Sequence, residues 1–273
     1  MTERSGSLVA GRRAVAEAIS SGRAREILVA QAPRAAVGLR DVLSAAERAG
    51  IPVRSVPRRE LDALASDHQG VAARTGHVRE LSERDLSTWP FAADDVVVAL
   101  DGITDPQNLG AAARSAEAAG VAMLVSRIRR AAPVTPAAVR ASAGALLHLP
   151  HARVANIARA LDRLKDAGFF VVGLDERASA SVYEEGCPSG RVAVVVGSEG
   201  EGMSRLVRES CDALVSLPMR GRVASLNASV SLAAVLYAYV LPSRRARSSA
   251  PMDPGLTRRR APRRSAPRRS RGT

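Results

Sequence analysis

Aromatic residues, cysteines and lysines are all scarce in this sequence. Phe, Trp and Tyr make up 3% of the 273 residues, within a hydrophobic total of 46%, so a core must be built mainly from Ala, Val and Leu. Cys187 and Cys211 have no CxxC spacing, which argues against a disulfide framework and against a zinc site. Lys165 is the only lysine among 40 basic residues, a bias that we attribute to genome composition rather than to function.

Long apolar runs are missing as well. A membrane-spanning helix needs about 18 or more consecutive apolar residues, and the sequence has no such run. Residues 1–15 lack the apolar centre of a signal peptide. We therefore expect a cytoplasmic protein with no membrane partner and no metal, folded into one or two domains.

Positive charge is concentrated at the C-terminus. Residues 244–273 contain eleven Arg and one Asp, which leaves a net charge of +3 for the rest of a chain whose total is +13. Four prolines in this tail predict disorder. A basic tail can bind a polyanion such as RNA, or it can simply keep the protein soluble, and the sequence favours neither reading.

The first 76 residues alternate between strand-like and helix-like segments, which predicts a small α/β domain. His68 lies in a turn with Gly70 and has no second His or Cys nearby, so we interpret it as a capping residue or an RNA contact rather than a catalytic base. Residues 77–94 are polar and broken by Pro90. They predict a linker in which Trp89 is a packing residue.

The next segment predicts a parallel βαβ unit with a polar first turn. Residues 96–100 form a fully apolar run typical of a buried parallel strand, and a helix is predicted over 111–119. Asn108 lies between them, where ligands bind in open α/β sheets, and Arg114 follows on the helix. The alternatives are a helix cap for Asn108 and a solvated charge for Arg114, and both stay open at this point.

Two more strand–loop–helix units follow. The first turn, GSEGEG at 197–202, has neither the GxGxxG spacing of dinucleotide sites nor a Walker ending, and its glutamates favour a neutral or cationic ligand over a phosphate. The second unit joins a strand at 213–218, a loop at 219–224 and an apolar, buried helix at 226–241 with a polar start. A basic loop at 127–136 suits phosphate contacts or solvation equally.

Three segments together resemble a known family. They are DPQNLGAAARSAEAAG (105–120), VVVGSEGEGMSRL (194–206) and SLPMRGRVASLNASVSLA (216–233). In this order they resemble the motifs of the SpoU family, RNA ribose 2′-O-methyltransferases of the SPOUT superfamily. GRRAVAEAI near the start and DHQGVAAR at 67–74 resemble the amino-terminal RNA-binding domain of the branch that methylates guanosine in 23S rRNA.

The resemblance implies a fold and an organisation. The expected fold is α/β, with a C-terminal SPOUT domain of parallel sheet and deep trefoil knot, preceded by a small α/β ribosomal-protein-like RNA-binding domain. The expected boundaries are 1–76 for substrate binding, 77–94 for a linker, 95–243 for the knotted methyltransferase domain and 244–273 for the disordered tail. The resemblance also implies a homodimer with S-adenosylmethionine as cofactor and RNA, expected to be 23S rRNA, as partner.

The resemblance also implies roles for individual residues. Those expected to be catalytic are Arg114, Asn108, Glu199, Asn227 and Ser225. Those expected to bind the cofactor are Gly197, Glu199, Gly200, Leu217, Met219, Ser225, Leu226 and Asn227. Those expected to contact RNA, some from the basic loop described above, are Arg12, His68, Gln69, Arg127, Arg129, Arg130 and Arg140.

The chemistry fits these residue types. Methyl transfer to a ribose hydroxyl is an in-line displacement that positioning can accelerate without a metal. The family assigns Arg114 as base, yet arginine is effectively always protonated, so we favour a role in binding phosphate and orienting the hydroxyl. Alternatives are a resistance-type rRNA or a tRNA 2′-O-methyltransferase, or a non-catalytic RNA-binding protein. A nucleotide-dependent oxidoreductase is excluded by the missing GxGxxG.

Overall fold

The structure is a computed structural model of the 273-residue chain. It describes residues 7–31, 39–65, 68–76, 80–184, 186–223 and 225–242. The predicted disorder of the arginine-rich tail at 244–273 therefore falls outside the described residues. Within them, no helix is long and apolar enough to cross a membrane.

The N-terminal part is a small mixed sheet with helices packed on it. Strand β4 lies between β1 and β2 and is antiparallel to both, whereas β2 and β3 are parallel. Every strand but the last is followed by a helix, as the sequence predicts. The elements are β1 (Ser7–Ala10), α1 (Arg12–Ser20), β2 (Ala24–Ala30), α2 (Leu39–Arg48), β3 (Val53–Val56), α3 (Arg58–Leu64) and β4 (Val71–Thr75).

The C-terminal part is a parallel sheet of seven strands in the order β11-β9-β10-β6-β7-β8-β5. A 3₁₀ turn at Ala145–Leu147 precedes β8, and a π-helical turn at Leu236–Val240 continues the last helix. The elements are β5 (Glu80–Leu81), α4 (Glu83–Thr88), β6 (Val96–Asp101), α5 (Pro106–Ala118), β7 (Met123–Arg127), α6 (Pro136–Ala141), β8 (His151–Val154), α7 (Ile157–Asp166), β9 (Phe169–Leu174), β10 (Arg191–Gly197), α8 (Arg205–Glu209), β11 (Ala213–Val215) and α9 (Ala228–Val235).

The central strands are apolar throughout because helices cover both faces of the sheet. All six residues of β6 are buried. Its side chains alternate between faces, so Val98 and Leu100 join the cluster beneath α5 and α9, whereas Val97 and Ala99 join the cluster beneath α7. The predicted α/β fold with a parallel sheet is confirmed, and the trefoil knot stays a prediction.

The segment predicted as a linker contains regular structure that belongs to the large domain. Strand β5 pairs with β8, and α4 packs against α7. Glu83 accepts hydrogen bonds from Arg159 at 2.6 and 2.7 Å and from Arg163 at 3.0 Å, which ties the two helices together. Hydrogen bonds from these guanidinium groups lower the pKa of Glu83, and the bond from Arg159 has the largest effect. Burial of Glu83 acts in the opposite direction and raises the pKa. Trp89 packs into the adjoining core, as predicted.

The small domain rests on the large one. Glu17 of α1 lies so close to Gly144 that a Cβ at that glycine would be 2.4 Å from the Glu17 Cγ, and the Glu17 carboxylate pairs with His148. A single cluster of buried apolar residues includes both Val15 of α1 and Val139 of α6. The described part of the chain therefore has a continuous core across its two sheets.

Helix α5 begins five residues earlier than the sequence predicts, at Pro106 instead of 111. Asp105 is the N-cap and accepts from the Gln107 N–H at 2.9 Å, and proline suits the first helical position because it needs no N–H partner there. Asn108 therefore lies inside the first turn, so the alternative reading of Asn108 as the helix cap is wrong.

Candidate active site

A pocket lies at the edge of the large sheet where the parallel strands end. Its walls come from the segments after three neighbouring strands, at 174–177 after β9, at 197–203 after β10, and at 217–219 and 225–231 after β11. This is where open α/β sheets bind ligands. Seven of the eight residues expected to bind the cofactor line it, namely Gly197, Glu199, Gly200, Leu217, Met219, Ser225 and Leu226.

The eighth residue, Asn227, holds three loops together at the border of the pocket. Its Nδ2 donates to Asn108 Oδ1 at 2.9 Å and to a carboxylate oxygen of Glu199, and the Asn108 Nδ2 donates to the same Glu199 oxygen at 3.0 Å. Asn108 comes from α5, Glu199 from the turn after β10 and Asn227 from the start of α9. The structure thus brings three of the predicted catalytic residues into one cluster.

The orientation of the Asn227 amide follows from its other contacts. Its Oδ1 accepts from the Ser229 N–H at 2.9 Å, from the Ser229 hydroxyl at 2.6 Å and from the Val230 N–H at 3.4 Å. A flipped amide would point its NH₂ group at these three donors. Asn227 is therefore both the N-cap of α9 and a fixed donor toward Glu199, and the buried Ser229 helps to hold it.

The other two residues expected to be catalytic are not part of this hydrogen-bonded cluster. Arg114 is exposed on α5 and makes no ion pair or hydrogen bond to any residue that the structure describes. Ser225 is exposed on the pocket wall. Both are accessible to a ligand or to RNA.

Gly197 is required by the turn that follows it. A Cβ at this position would lie 2.1 Å from the Gly202 carbonyl carbon and 2.2 Å from the Met203 nitrogen. The turn folds back on itself because Ser198 and Gly202 exchange backbone hydrogen bonds at 3.1 and 3.0 Å. The sequence suggests a glycine that admits a ligand, whereas here the closest approach at Gly197 is to the protein's own backbone.

The turn is fixed to the sheet through a buried carboxylate. Asp101 ends β6 with 3% of its surface exposed, and it accepts from the Ser204 N–H at 2.8 Å. The Arg127 guanidinium pairs with it at 2.6 Å and also donates to the Ser204 hydroxyl at 3.3 Å. Arg127 was predicted to contact RNA, but the structure gives it this internal partner, because an unpaired carboxylate at this depth would be costly.

The remaining residues expected to contact RNA fall into two groups. Gln69 is exposed in a left-handed conformation (φ 51°), and its Oε1 accepts from the Arg12 N–H at 3.2 Å, beside the start of α1. Arg129 and Arg130 are exposed and Arg140 is half-buried, all between β7 and β8. Because α6 packs against β1, both groups adjoin the boundary between the two sheets.

His68 makes the capping contact, one of the two roles predicted for it from the sequence. Its side chain is 3% exposed, Nδ1 accepts from the Gly70 N–H at 2.9 Å, and Nε2 lies 2.8 Å from Asp62. Because Nδ1 is an acceptor, Nε2 carries the proton and donates to the carboxylate. His68 therefore has little exposed surface for RNA, and its contact with RNA stays a prediction.

One wall of the pocket is formed by residues that were not predicted from the sequence. Asp175, Glu176 and Arg177 follow β9, and Arg208 of α8 donates to Asp175 at 2.6 Å. The Asp175 carboxylate also accepts from the Arg177 N–H at 2.8 Å, so this loop is held in place. The signal that could have found these residues is their position just after a predicted parallel strand.

Two further observations concern metal-binding groups and a buried thiol. Among the described residues no group of three or more His, Cys, Asp and Glu is arranged to hold a metal ion. Burial raises the pKa of the Cys211 thiol to about 12, so it is not a thiolate nucleophile at neutral pH.

Comparisons with known proteins agree on one family. Residues 95–237 match the model of the SpoU rRNA Methylase family, and residues 8–80 match a model described as RNA 2′-O ribose methyltransferase substrate binding. An uncharacterized tRNA/rRNA methyltransferase of Mycolicibacterium vanbaalenii is 43% identical over 235 residues, which cover 84% of this chain and 74% of that protein.

Two further comparisons concern a named activity and a solved structure. The 23S rRNA (guanosine-2′-O-)-methyltransferase RlmB of Vibrio vulnificus is 38% identical over 202 residues, 73% of this chain and 81% of that protein. The crystal structure of the SpoU methyltransferase AviRb from Streptomyces viridochromogenes with AdoMet has a TM-score of 0.72 at 28% identity, covering 88% of this chain and 90% of AviRb. The chain therefore belongs to the SpoU rRNA methylase family, which confirms the predicted class of enzyme, an RNA methyltransferase.

Proposed function

We propose that the chain transfers the methyl group of S-adenosylmethionine to the ribose 2′-hydroxyl of a guanosine in 23S rRNA. The observation that carries this proposal is the hydrogen-bonded cluster of Asn108, Glu199 and Asn227, drawn from three separate motifs to the border of one pocket. The similarity to the guanosine-2′-O-methyltransferases of 23S rRNA and the match to a substrate-binding domain support the choice of target.

The pocket suits S-adenosylmethionine, the cofactor of this family and the ligand in the AviRb complex. Leu217, Met219 and Leu226 offer apolar contacts to the adenine. The acidic residues on the wall outnumber the basic ones, which favours a ligand with a cationic sulfonium. These residues are Asp175, Glu176, Glu199 and Glu201 against Arg177 and Arg208.

The residues around the pocket have distinct roles in the transfer. When bound, the cofactor supplies an electrophilic methyl group. Glu199 is held by two amide donors at one carboxylate oxygen, and the fixed cluster keeps the walls of the pocket at a constant spacing, as an in-line transfer needs. Arg114, exposed and without a partner among the described residues, is free to bind the neighbouring phosphate and to orient the hydroxyl.

The RNA would lie across both domains. Gln69 and Arg12 beside the start of α1 and Arg129 and Arg130 beyond β7 present polar and positive groups near the boundary of the two sheets. Arg140 belongs to α6, which packs against β1 of the small domain. Contacts of this kind position the phosphate backbone and leave the choice of nucleotide to the pocket.

We also propose that the chain acts as a homodimer. Large apolar side chains are exposed along the last loop and helix, at Val223, Leu226, Val230 and Tyr237. A patch of this kind beside a ligand pocket is typical of an interface. Sedimentation of the purified chain at several concentrations tests the assembly, and a single monomeric species at micromolar concentration would exclude it.

Methylation of purified RNA tests the function directly. The full-length chain is incubated with methyl-labelled S-adenosylmethionine and, separately, with unmodified 23S rRNA, 16S rRNA and total tRNA, and 2′-O-methyl positions are then mapped. We expect label at one guanosine of 23S rRNA. Transfer to tRNA, or to another nucleotide, would refute the proposed target but would still support the proposed reaction. Absence of cofactor binding and of transfer would refute both.

A further inference from the structure

We propose that residues 128–132, here called the arginine loop, form a preformed site for RNA phosphates that is organised by Arg153. This inference rests on the proposed function, because it takes RNA as the substrate. It goes further by assigning a positioning role to Arg153, a residue of β8 that contributes to no catalytic motif.

Arg153 clasps the two ends of the loop with one guanidinium. Its Nη2 donates to the Ile128 carbonyl and its Nη1 to the Ala132 carbonyl, both at 3.0 Å. The planar guanidinium presents its donors in a fixed geometry, so the distance between the two carbonyls is fixed with it. A lysine at this position could not reproduce both contacts in that geometry.

Three further contacts fasten the loop to the site. The Ile128 N–H donates to the Val154 carbonyl at 2.9 Å, and the Ala132 N–H donates to the Ile103 carbonyl at 2.8 Å. Ile103 lies two residues before the cap of α5, the helix that bears Asn108. On the other side Arg127, at the end of β7, is ion-paired with the buried Asp101. The loop is therefore fixed next to the cluster that borders the pocket.

The loop carries positive charge and no acidic residue. Arg129 and Arg130 are exposed, and neither has an ion pair among the residues that the structure describes. Arg130 has a left-handed backbone (φ 55°), which turns the chain at the tip. Two free guanidinium groups on a rigid loop suit phosphate oxygens, because holding the loop in its binding conformation lowers the entropy cost of association.

The test compares RNA binding by three variants in the full chain, with an unmodified 23S rRNA transcript as probe. For R129A/R130A we expect weaker binding and a salt dependence reduced by about 1.4 to 1.8 in log–log slope, since each phosphate contact contributes about 0.7 to 0.9. For R153M we expect about 5-fold to 10-fold weaker binding through loss of the loop's order. R153K should behave like R153M although it keeps the charge.

A double-mutant cycle separates positioning from general stability. If Arg153 acts through the two loop arginines, R153M adds less than about 2-fold once R129A/R130A is present. Arg48 provides the matched charge control, because it is exposed at the end of α2, at the opposite end of the small sheet from Gln69. R48A should leave both the affinity and the salt slope unchanged, and all variants should bind S-adenosylmethionine as the parent does.

Several results would overturn the inference. Unchanged RNA affinity and salt slope in R129A/R130A would exclude the loop as a phosphate site. Full additivity of R153M with R129A/R130A, or normal binding by R153K, would exclude the positioning role. These outcomes are independent of the proposed reaction, because they are read as RNA binding without methyl transfer. If the R129A/R130A variant methylated 23S rRNA as well as the parent does, the proposed role of the arginine loop would be refuted but the proposed function would not.

Discussion

Asn227 donates a hydrogen bond to Asn108 over 2.9 Å, although the two residues lie 119 positions apart. Both also donate to Glu199, and the side-chain Oδ1 of Asn227 accepts hydrogen bonds from donors at the start of α9. The direction of every hydrogen bond in the cluster is therefore determined, and Glu199 accepts both bonds through one oxygen. The first prediction follows from this polarity.

Asn227→Asp keeps the size of the side chain but replaces its donor with a second carboxylate. We expect methyl transfer to fall about 100-fold or more, as when one fixed donor is removed from an active site. The cap of α9 should survive, since Asp caps helices as well as Asn. The measurements are kcat/KM for S-adenosylmethionine at saturating RNA and the midpoint of thermal unfolding.

Asn156 provides the control for this substitution. It caps α7 by accepting from the Arg159 N–H at 3.2 Å and lies outside the pocket. Asn156→Asp should leave both the rate and the midpoint close to those of the parent. If Asn227→Asp were equally harmless, the cluster would have only a structural role.

Arg114→Lys distinguishes a cation from a base. Arg114 has no partner among the described residues that would favour loss of its proton, so we expect it to act as a positive charge. The lysine variant should keep most of the rate, within about 10-fold, with the same pH dependence of kcat, because a charge at this place is retained. A variant with normal RNA affinity and no activity would instead support a specific guanidine role.

The residues of the site could be predicted because they lie in three short contiguous motifs that resemble those of the SpoU family. Asn108 lies in the first turn of the helix after β6 and Glu199 in the turn after β10, and parallel strands bring such segments to one edge. Asp175 and Arg177 also follow a strand, but their place in the pocket wall could not be predicted. That place depends on β9 lying between β10 and β11, and that order is set by long-range packing rather than by local sequence.

The start of α5 shows how packing overrides local preference. Gly110 disfavours a helix interior, which made 111 the expected beginning. In the structure a Cβ at Gly110 would lie 2.5 Å from the Ala141 Cβ and 2.6 Å from the Ala138 carbonyl. The glycine is needed for the close approach of α5 to α6, and that contact is invisible in the sequence of α5 alone.

Gly197→Ala tests the tight turn after β10. The added methyl would meet backbone atoms at 2.1 and 2.2 Å, so the turn must shift. We expect a loss of about 1 to 3 kcal/mol in the free energy of unfolding, typical of overpacking, and a cofactor affinity reduced at least 10-fold. Urea denaturation and calorimetric titration with S-adenosylmethionine measure the two effects.

Gly186 is the matched glycine for comparison. A Cβ added at this residue would have no described atom within 4 Å, and its φ lies outside the left-handed region. Gly186→Ala should therefore be neutral or slightly stabilising, through the reduced freedom of the unfolded chain. Equal effects of the two substitutions would show that the turn tolerates a side chain and that Gly197 is not constrained by its neighbours.

His151 makes the stability of the fold depend on pH. His151 is the first residue of β8 and is 1% exposed, and its Nε2 lies 2.8 Å from the hydroxyl of Ser126 on β7. Burial, and then the charge of Arg153, lowers its pKa to about 3. In the unfolded chain an ordinary histidine takes up a proton below about pH 6.5, whereas the folded protein does not. Stability therefore rises with pH across this interval and is lost as the pH falls from about 6.5 toward 3.

His151→Gln removes this titration while keeping a polar group beside Ser126. The parent should lose up to about 1.4 kcal/mol per pH unit below pH 6 relative to the variant, because one additional proton binds on unfolding. Urea denaturation at half-unit steps from pH 7.5 to 4.5 gives both curves. Above pH 7 the difference between them should be constant. Parallel curves over the whole range would mean that His151 binds its proton equally in the folded and the unfolded states.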